Sequence, residues 1–185
     1  PDVEQLMSDQ AKAYNAVLDY CRNFETHKKL GQGFGLFGDG GTAKTHLLAA
    51  AVNYLAERKV QAVHINTQEV LEEIKATFGT DEQGKPDTEI KASEIINLIR
   101  TCEFLSMDDV GVESSTSWVK EKFYEILNHR YENEMPTVFS TNFTMEELQL
   151  HLGRSYRRLI EPCMGRMAII KGKSFDQLVS KKKKK

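Results

Sequence analysis

The sequence predicts an α/β domain built on a parallel sheet with helices on both faces. Two observations carry this. Short apolar, β-branched stretches alternate with amphipathic helical patterns along the chain. One of the strand-to-helix junctions is a glycine-rich turn, Gly38-Asp39-Gly40-Gly41-Thr42-Ala43-Lys44-Thr45.

Asp2 to Phe24 reads as an amphipathic helix, with Leu6, Ala13, Tyr14, Val17, Leu18 and Cys21 on its apolar stripe. Gly31, Gly33 and Gly35 then loosen the backbone. Phe34-Gly35-Leu36-Phe37 is a short strand, and His46 to Glu57 is the helix after the turn. Val60 to Ile65 is the next strand. Thr67 to about Phe78 is a helix whose start resembles a capping box on Thr67, lacking only the Glu or Gln three residues on. Gly79 to Asp87 reads as a polar loop, followed by a helix to Arg100. Cys102 to Met107 is an apolar run, Ser117 to Glu134 a long helix stopped by Pro136, and Thr137 to Ser140 a strand. Thr144 to Leu152 and Arg154 to Ile160 are short helices, and Met167 to Lys171 is the last strand. No internal repeat is visible.

The chain has 185 residues, 40% hydrophobic and 28% charged, as expected of one globular domain. No apolar run approaches the roughly 20 residues that span a bilayer, and no signal peptide is visible. The first residue is Pro1 and not Met, which leaves open whether a preceding region is missing. Cys21, Cys102 and Cys163 are far apart and odd in number, which points to a reducing cytoplasm and away from disulfide or zinc frameworks. The histidines show no metal spacing. Five of the 25 basic residues are Lys181 to Lys185; the other 20 face 27 acidic ones. The body is mildly acidic, so net charge does not mark a nucleic-acid binder. The expected organisation is an N-terminal helix and linker (1–30), one main domain (31–180) and a basic tail (181–185).

The glycine-rich turn has phosphate-binding chemistry. Glycines let backbone N–H groups curl around an anion, and the helix N-terminus adds partial positive charge. Lys44 can reach outer phosphates and the Thr45 hydroxyl can hold Mg²⁺. The turn fits G-x-x-x-x-G-K-[ST] except that Ala43 stands where glycine is expected. With positive φ, alanine is strained by roughly 1–2 kcal/mol; with helix-like φ it costs little. The sequence leaves both open.

The run Glu103-Phe-Leu-Ser-Met-Asp108-Asp109 ends in two carboxylates at the strand end where open α/β sheets bind ligands. Asp108 is expected to hold Mg²⁺ and Asp109 to act as base or water-positioning residue. Phe139-Ser140-Thr141-Asn142 ends the next strand, and Asn142 can reach water or a γ-phosphate from there. Thr144 is the better helix cap by its spacing to Glu147, which leaves Asn142 free. Arg154 and Arg158 share one helix face, beside Arg157. Arginine can bind phosphate bidentately.

Together these residues resemble the bacterial replicative-helicase loaders, the DnaC/DnaI-type AAA+ ATPases, over nearly the whole chain. The resemblance rests on Asn23-Phe24, the turn from Gly38 to Thr45 with His46-Leu47, and Asp108-Asp109-Val110-Gly111. It rests also on Ser140 to Thr144 and on Leu152-Gly153-Arg154 with Arg158. The insertion-sequence helper ATPases of transposition look similar. The resemblance implies an AAA+ P-loop NTPase core with a five-stranded parallel sheet. It implies ATP cradled by Gly38 through Thr45 and His46, Mg²⁺ on Thr45 and Asp108, and Asn142 as sensor. It implies an arginine, Arg158 or Arg154, acting in trans on a neighbouring copy. The implied partners are the replicative DNA helicase and single-stranded DNA, the latter near Glu69 to Lys91, where Lys75, Lys85, Lys91 and Phe78 are available. The implied activity is slow, partner-regulated ATP hydrolysis in the cytoplasm. The alternatives are a nucleotide-gated scaffold without useful hydrolysis and, less favoured for want of an arginine-rich lid, a small-molecule kinase. Gly172 to Asp176 lacks the second-sensor arginine such proteins often carry.

Overall fold

The computed structural model describes residues 2–77, 92–111 and 117–171. Its strands are β1 (Gly35–Gly38), β2 (Ala62–Asn66), β3 (Phe104–Asp108), β4 (Thr137–Thr141) and β5 (Met167–Ile170). They form one five-stranded sheet in the order β2-β3-β4-β1-β5, parallel at every pairing. The helices are α1 (Asp2–Arg22), α2 (Phe24–Lys29), α3 (Lys44–Ala56), α4 (Thr67–Thr77), α5 (Ala92–Thr101), α6 (Ser117–Glu132), α7 (Met145–Leu152) and α8 (Ser155–Ile160).

The strands read as continuous apolar runs because both sheet faces are covered. Alternate residues go to opposite layers. Leu36, Phe104 and Val138 pack with Ala13, Val17 and Tyr20 of α1 and Leu48 and Leu55 of α3. Phe37, Leu105 and Phe139 pack on the other face with Leu71, Ile99, Phe123, Leu127 and Leu148. Helix α1 is therefore part of the core. Burial pushes the thiols of Cys21 to about 11 and Cys163 to about 12, and all three cysteines are free and buried. None is poised as a nucleophile. Among the described residues, no helix is long and apolar enough to cross a membrane.

The elements differ from expectation in instructive places. The first helix stops at Arg22, and α2 follows after Asn23, whose side chain donates back to the Asp19 carbonyl (3.0 Å). Phe24 starts this unannounced helix because its ring packs edge-on against Phe104, 5.7 Å away. At α4 the cap is Asn66, which accepts from the Glu69 amide (3.2 Å). Thr67, the expected cap, instead donates to the Asp108 carbonyl (2.8 Å). Thr144 caps α7 with a full capping box on Glu147, as its spacing predicted. Gly33 serves close approach, not looseness: a Cβ there would lie 1.8 Å from the Thr137 carbonyl oxygen. The expected loop from Gly79 to Asp87, and the residues Phe78, Lys85, Lys91, Gly172 to Asp176 and Lys181 to Lys185, lie outside the described residues.

Arg130 is the largest side chain buried below 2% exposure. Its guanidinium donates to the carbonyls of Ile99 (2.9 Å), Cys102 (2.9 Å) and Pro136 (2.8 Å) and to the Thr137 hydroxyl (2.9 Å). It joins the end of α5 and the entries to β3 and β4. Arg130→Met strands three inward carbonyls, so the expected loss is about 3 kcal/mol of stability, read from the denaturant midpoint. An unchanged midpoint would refute this assignment.

Candidate active site

The β1–α3 turn needs unusual backbone. Gly38 (φ 144°) and Gly41 (φ 75°) lie in the left-handed region, and a Cβ on Gly38 would sit 2.3 Å from the Ile170 carbonyl oxygen. Thr42 is buried and its hydroxyl donates to the Asp39 carbonyl (2.8 Å), which holds the turn closed. A Cβ on Gly40 would meet nothing within 4 Å, so the turn opens on free space there. Ala43 adopts φ 72° and ψ 18° as the residue before α3. Its open question is thereby answered: alanine carries the left-handed penalty. Relief of about 1–2 kcal/mol, less about 0.4–1 kcal/mol for the freer unfolded chain, gives a net gain for Ala43→Gly. We expect a stabilisation of roughly 0.5–1 kcal/mol in thermal or denaturant unfolding. A less stable variant would show that the Ala43 methyl packs usefully.

Lys44 opens α3 and is 4% exposed. Its ammonium donates to the carbonyls of Gly38 (2.7 Å) and Asp39 (2.9 Å) and to Asn142 Oδ1 (2.7 Å). Among the described residues no carboxylate oxygen pairs with it directly. Burial pushes its pKa below the usual lysine value, against the opposing pull of Asp109, Asp108 and Asp39. Thr45 and His46 are exposed on the first turn of α3, and Asp39 is exposed on the loop.

The ends of β3 and β4 meet here, with Met107 opposite Phe139 in register. Asp108 is buried, and its carboxylate accepts from the Ser140 hydroxyl. The same hydroxyl accepts from the Asp109 amide (3.1 Å). Asp109 itself is half-buried at φ 54°. Burial, then the charge of Asp108, pushes its carboxyl above the usual carboxylate range, while Lys44 pulls it down. Thr141 donates to the Val110 carbonyl (2.6 Å) and accepts from the Phe143 amide (3.1 Å), fixing the turn that presents Asn142. Because lysine only donates, the oxygen of the Asn142 amide faces Lys44. Its NH₂ group has no partner among the described residues. A cavity of about 490 Å³ opens beside the loop, bounded by Gly38, Asp39, Asn142, Phe143, Met145 and Ile169.

The structure thus brings Lys44, Asp108, Asp109 and Asn142 together at one end of the sheet, next to the turn that carries Thr45. The arginines stand apart. Arg154 lies over the Tyr124 ring, Arg158 donates to Asn128 Oδ1 (3.0 Å), and Arg157 pairs with Glu161 (2.7 Å). Three contributors escaped sequence reasoning. Ser140 and Thr67 were legible only as polar residues at element ends. Gln10, which donates to the Thr42 carbonyl (3.1 Å), gave no signal.

Residues 8–159 match the model of the bacterial DnaA ATPase domain family. The chain belongs to this family. The DnaA-type ATPase domain is an AAA+ P-loop core, and the expected resemblance to helicase loaders holds within it. The replicative helicase loader DnaI of Bacillus subtilis is 32% identical over 78% of this chain and 43% of its own length. The replicative helicase loader DnaC of Escherichia coli K12 is 29% identical over 82% of this chain and 56% of its own length. This AAA+ domain spans about half the length of the curated relatives it matches. A crystal structure of the DnaC helicase loader superposes with a TM-score of 0.72 at 23% identity, covering 88% of this chain and 90% of the other. The five-stranded parallel core is the fold they share.

Proposed function

We propose that this chain binds ATP with Mg²⁺, hydrolyses it slowly, and helps place a replicative DNA helicase on single-stranded DNA. The observation that carries the reading is the convergence of a buried Lys44 ammonium, two carboxylates and the Asn142 amide around one glycine-rich turn. The loader role rests on the resemblance to DnaI and DnaC and is favoured over a transposition helper.

The residues fit the nucleotide. Gly40 and Gly41 leave the loop backbone accessible, and Lys44 is a buried cation with no carboxylate bonded to it among the described residues. Thr45 and Asp108 would hold Mg²⁺, whose charge offsets that of the phosphates. Lys44 exchanges carbonyl and amide partners for phosphate oxygens, which accept a charge-assisted bond more strongly. Asp109 takes up the proton of the attacking water at a carboxylate oxygen. Its raised pKa brings it closer to the working pH, which suits a base. The free NH₂ of Asn142 donates to that water or to a phosphate oxygen. Asp39, Thr42, Ala43 and His46 line the loop, and Arg154 or Arg158 serves a neighbouring copy.

The test is titration of fluorescent ATP and ADP with Mg²⁺, followed by phosphate release against protein concentration, with and without single-stranded DNA and helicase. Micromolar binding and turnover that rises with concentration and partners are expected. Turnover indifferent to all three would refute the loader reading. Tight binding without phosphate release would leave a nucleotide-gated scaffold instead.

A further inference from the structure

Tyr124, Asn128 and Tyr131 recur at i, i+4 and i+7 on α6, one stripe of the helix. Helix α8 lays two arginines against it. The Arg154 guanidinium stands 3.9 Å above the Tyr124 ring centroid. Arg158 lies 5.4 Å from that centroid and 5.7 Å from that of Tyr131, with its Nε on Asn128 and an amino group 3.5 Å from the Tyr124 hydroxyl. Arg157 pairs with Glu161 and meets the stripe only at its far end, through the Tyr131 side chain.

Arg154 is exposed and has no hydrogen-bond acceptor among the described residues. A guanidinium stacked on a ring spends its face and keeps its in-plane N–H donors free. Those donors are the fork that grips phosphate. A ring also stiffens a side chain that would otherwise sweep through solvent. The pair's contacts all lie on α6, whereas those of Lys44 lie on the turn and Asn142, so the two groups share no partner.

We propose that Tyr124 is a positioning residue that holds Arg154 and Arg158 edge-outward to meet the terminal phosphate of a nucleotide bound by a second copy of this chain. The proposal rests on the ATPase reading above and adds α6 to the trans half of the site.

The experiment compares Tyr124→Leu, which removes the ring, with Tyr124→Phe, which keeps it. Steady-state ATP turnover, the Kd of a fluorescent ATP analogue and the thermal midpoint are measured on the full chain, with single-stranded DNA present. Tyr124→Leu is expected to lower turnover at saturating ATP about 10-fold or more with Kd unchanged, and Tyr124→Phe to stay within about 2-fold. Adding excess Lys44→Ala chains, which supply arginines but no nucleotide, should rescue Tyr124→Leu. Chains carrying both substitutions should not. Wild-type turnover by Tyr124→Leu, no rescue in the mixture, or a loss confined to DNA affinity would overturn the proposal. If Tyr124→Leu fails to fold, Arg154→Lys, which keeps charge but not the fork, carries the same mixing test. A wild-type chain that neither binds nor hydrolyses ATP removes the ATPase reading and this proposal together. An active wild type with an indifferent Tyr124 removes only the latter.

Discussion

Lys44→Ala is expected to weaken ATP and ADP binding by about 100-fold or more while leaving the fold intact. The binding loss follows from position: Lys44 is the cation buried at the turn, and its three short bonds go to two carbonyls and one amide. The fold is spared for an electrostatic reason. Burial pushes the lysine pKa down, so the folded chain disfavours the charged form. A base with a depressed folded pKa adds stability above its unfolded pKa and loses it as pH falls through the folded one. At neutral pH the ammonium therefore works against folding. Nucleotide titration and thermal unfolding of the same preparation check both halves. Undiminished binding by Lys44→Ala would remove the phosphate-loop assignment.

Asp109→Asn is expected to keep nucleotide binding and cut turnover by about 10²–10⁴-fold. The same shape fits the left-handed site, since asparagine tolerates φ 54° as aspartate does. In the wild type, turnover should fall as pH drops through the raised Asp109 pKa, so the acid limb lies above the ordinary carboxylate range. The stability sign is opposite to that of a salt-bridged carboxylate. A raised folded pKa adds stability below the unfolded pKa and loses it as pH rises through the folded one. Asp109→Asn should thus be at least as stable as wild type at neutral pH. A pH–rate profile and unfolding curves for both proteins decide the matter; full turnover by the variant would assign Asp109 a structural role only.

The sheet was legible because covered strands leave an unmistakable apolar trace, as in Phe104-Leu-Ser-Met, and because Gly-rich turns and Pro136 punctuate it. The expected strand limits differ from the observed ones by a residue or two at most ends, since fraying residues carry no hydrophobic signal. Lys44, Asp108, Asp109 and Asn142 were legible because each sits at a fixed distance from a strand end. What was hidden depends on partners distant in sequence. Nothing local marks Thr67 as a donor to the Asp108 carbonyl, or Gly33 as the residue that lets the Thr137 carbonyl pass. The backbone angle of Ala43 was likewise invisible, because the surrounding turn sets it against the preference of alanine itself.

Arg130 has a reach beyond the carbonyls it ties. It holds a full positive charge at the foot of β3, against Cys102, while Asp108 and Asp109 gather negative charge at the strand's head. The interval is six residues of extended chain, about 20 Å. The strand is thereby polarised end to end, and at an effective dielectric near 20 the pull on a carboxylate at the far end is on the order of 1 kcal/mol or less. That is small beside the local effect of Lys44, but it acts through the dry middle of the sheet, where salt screens poorly. A neutral side chain at the foot would remove that weak pull along with the carbonyl ties.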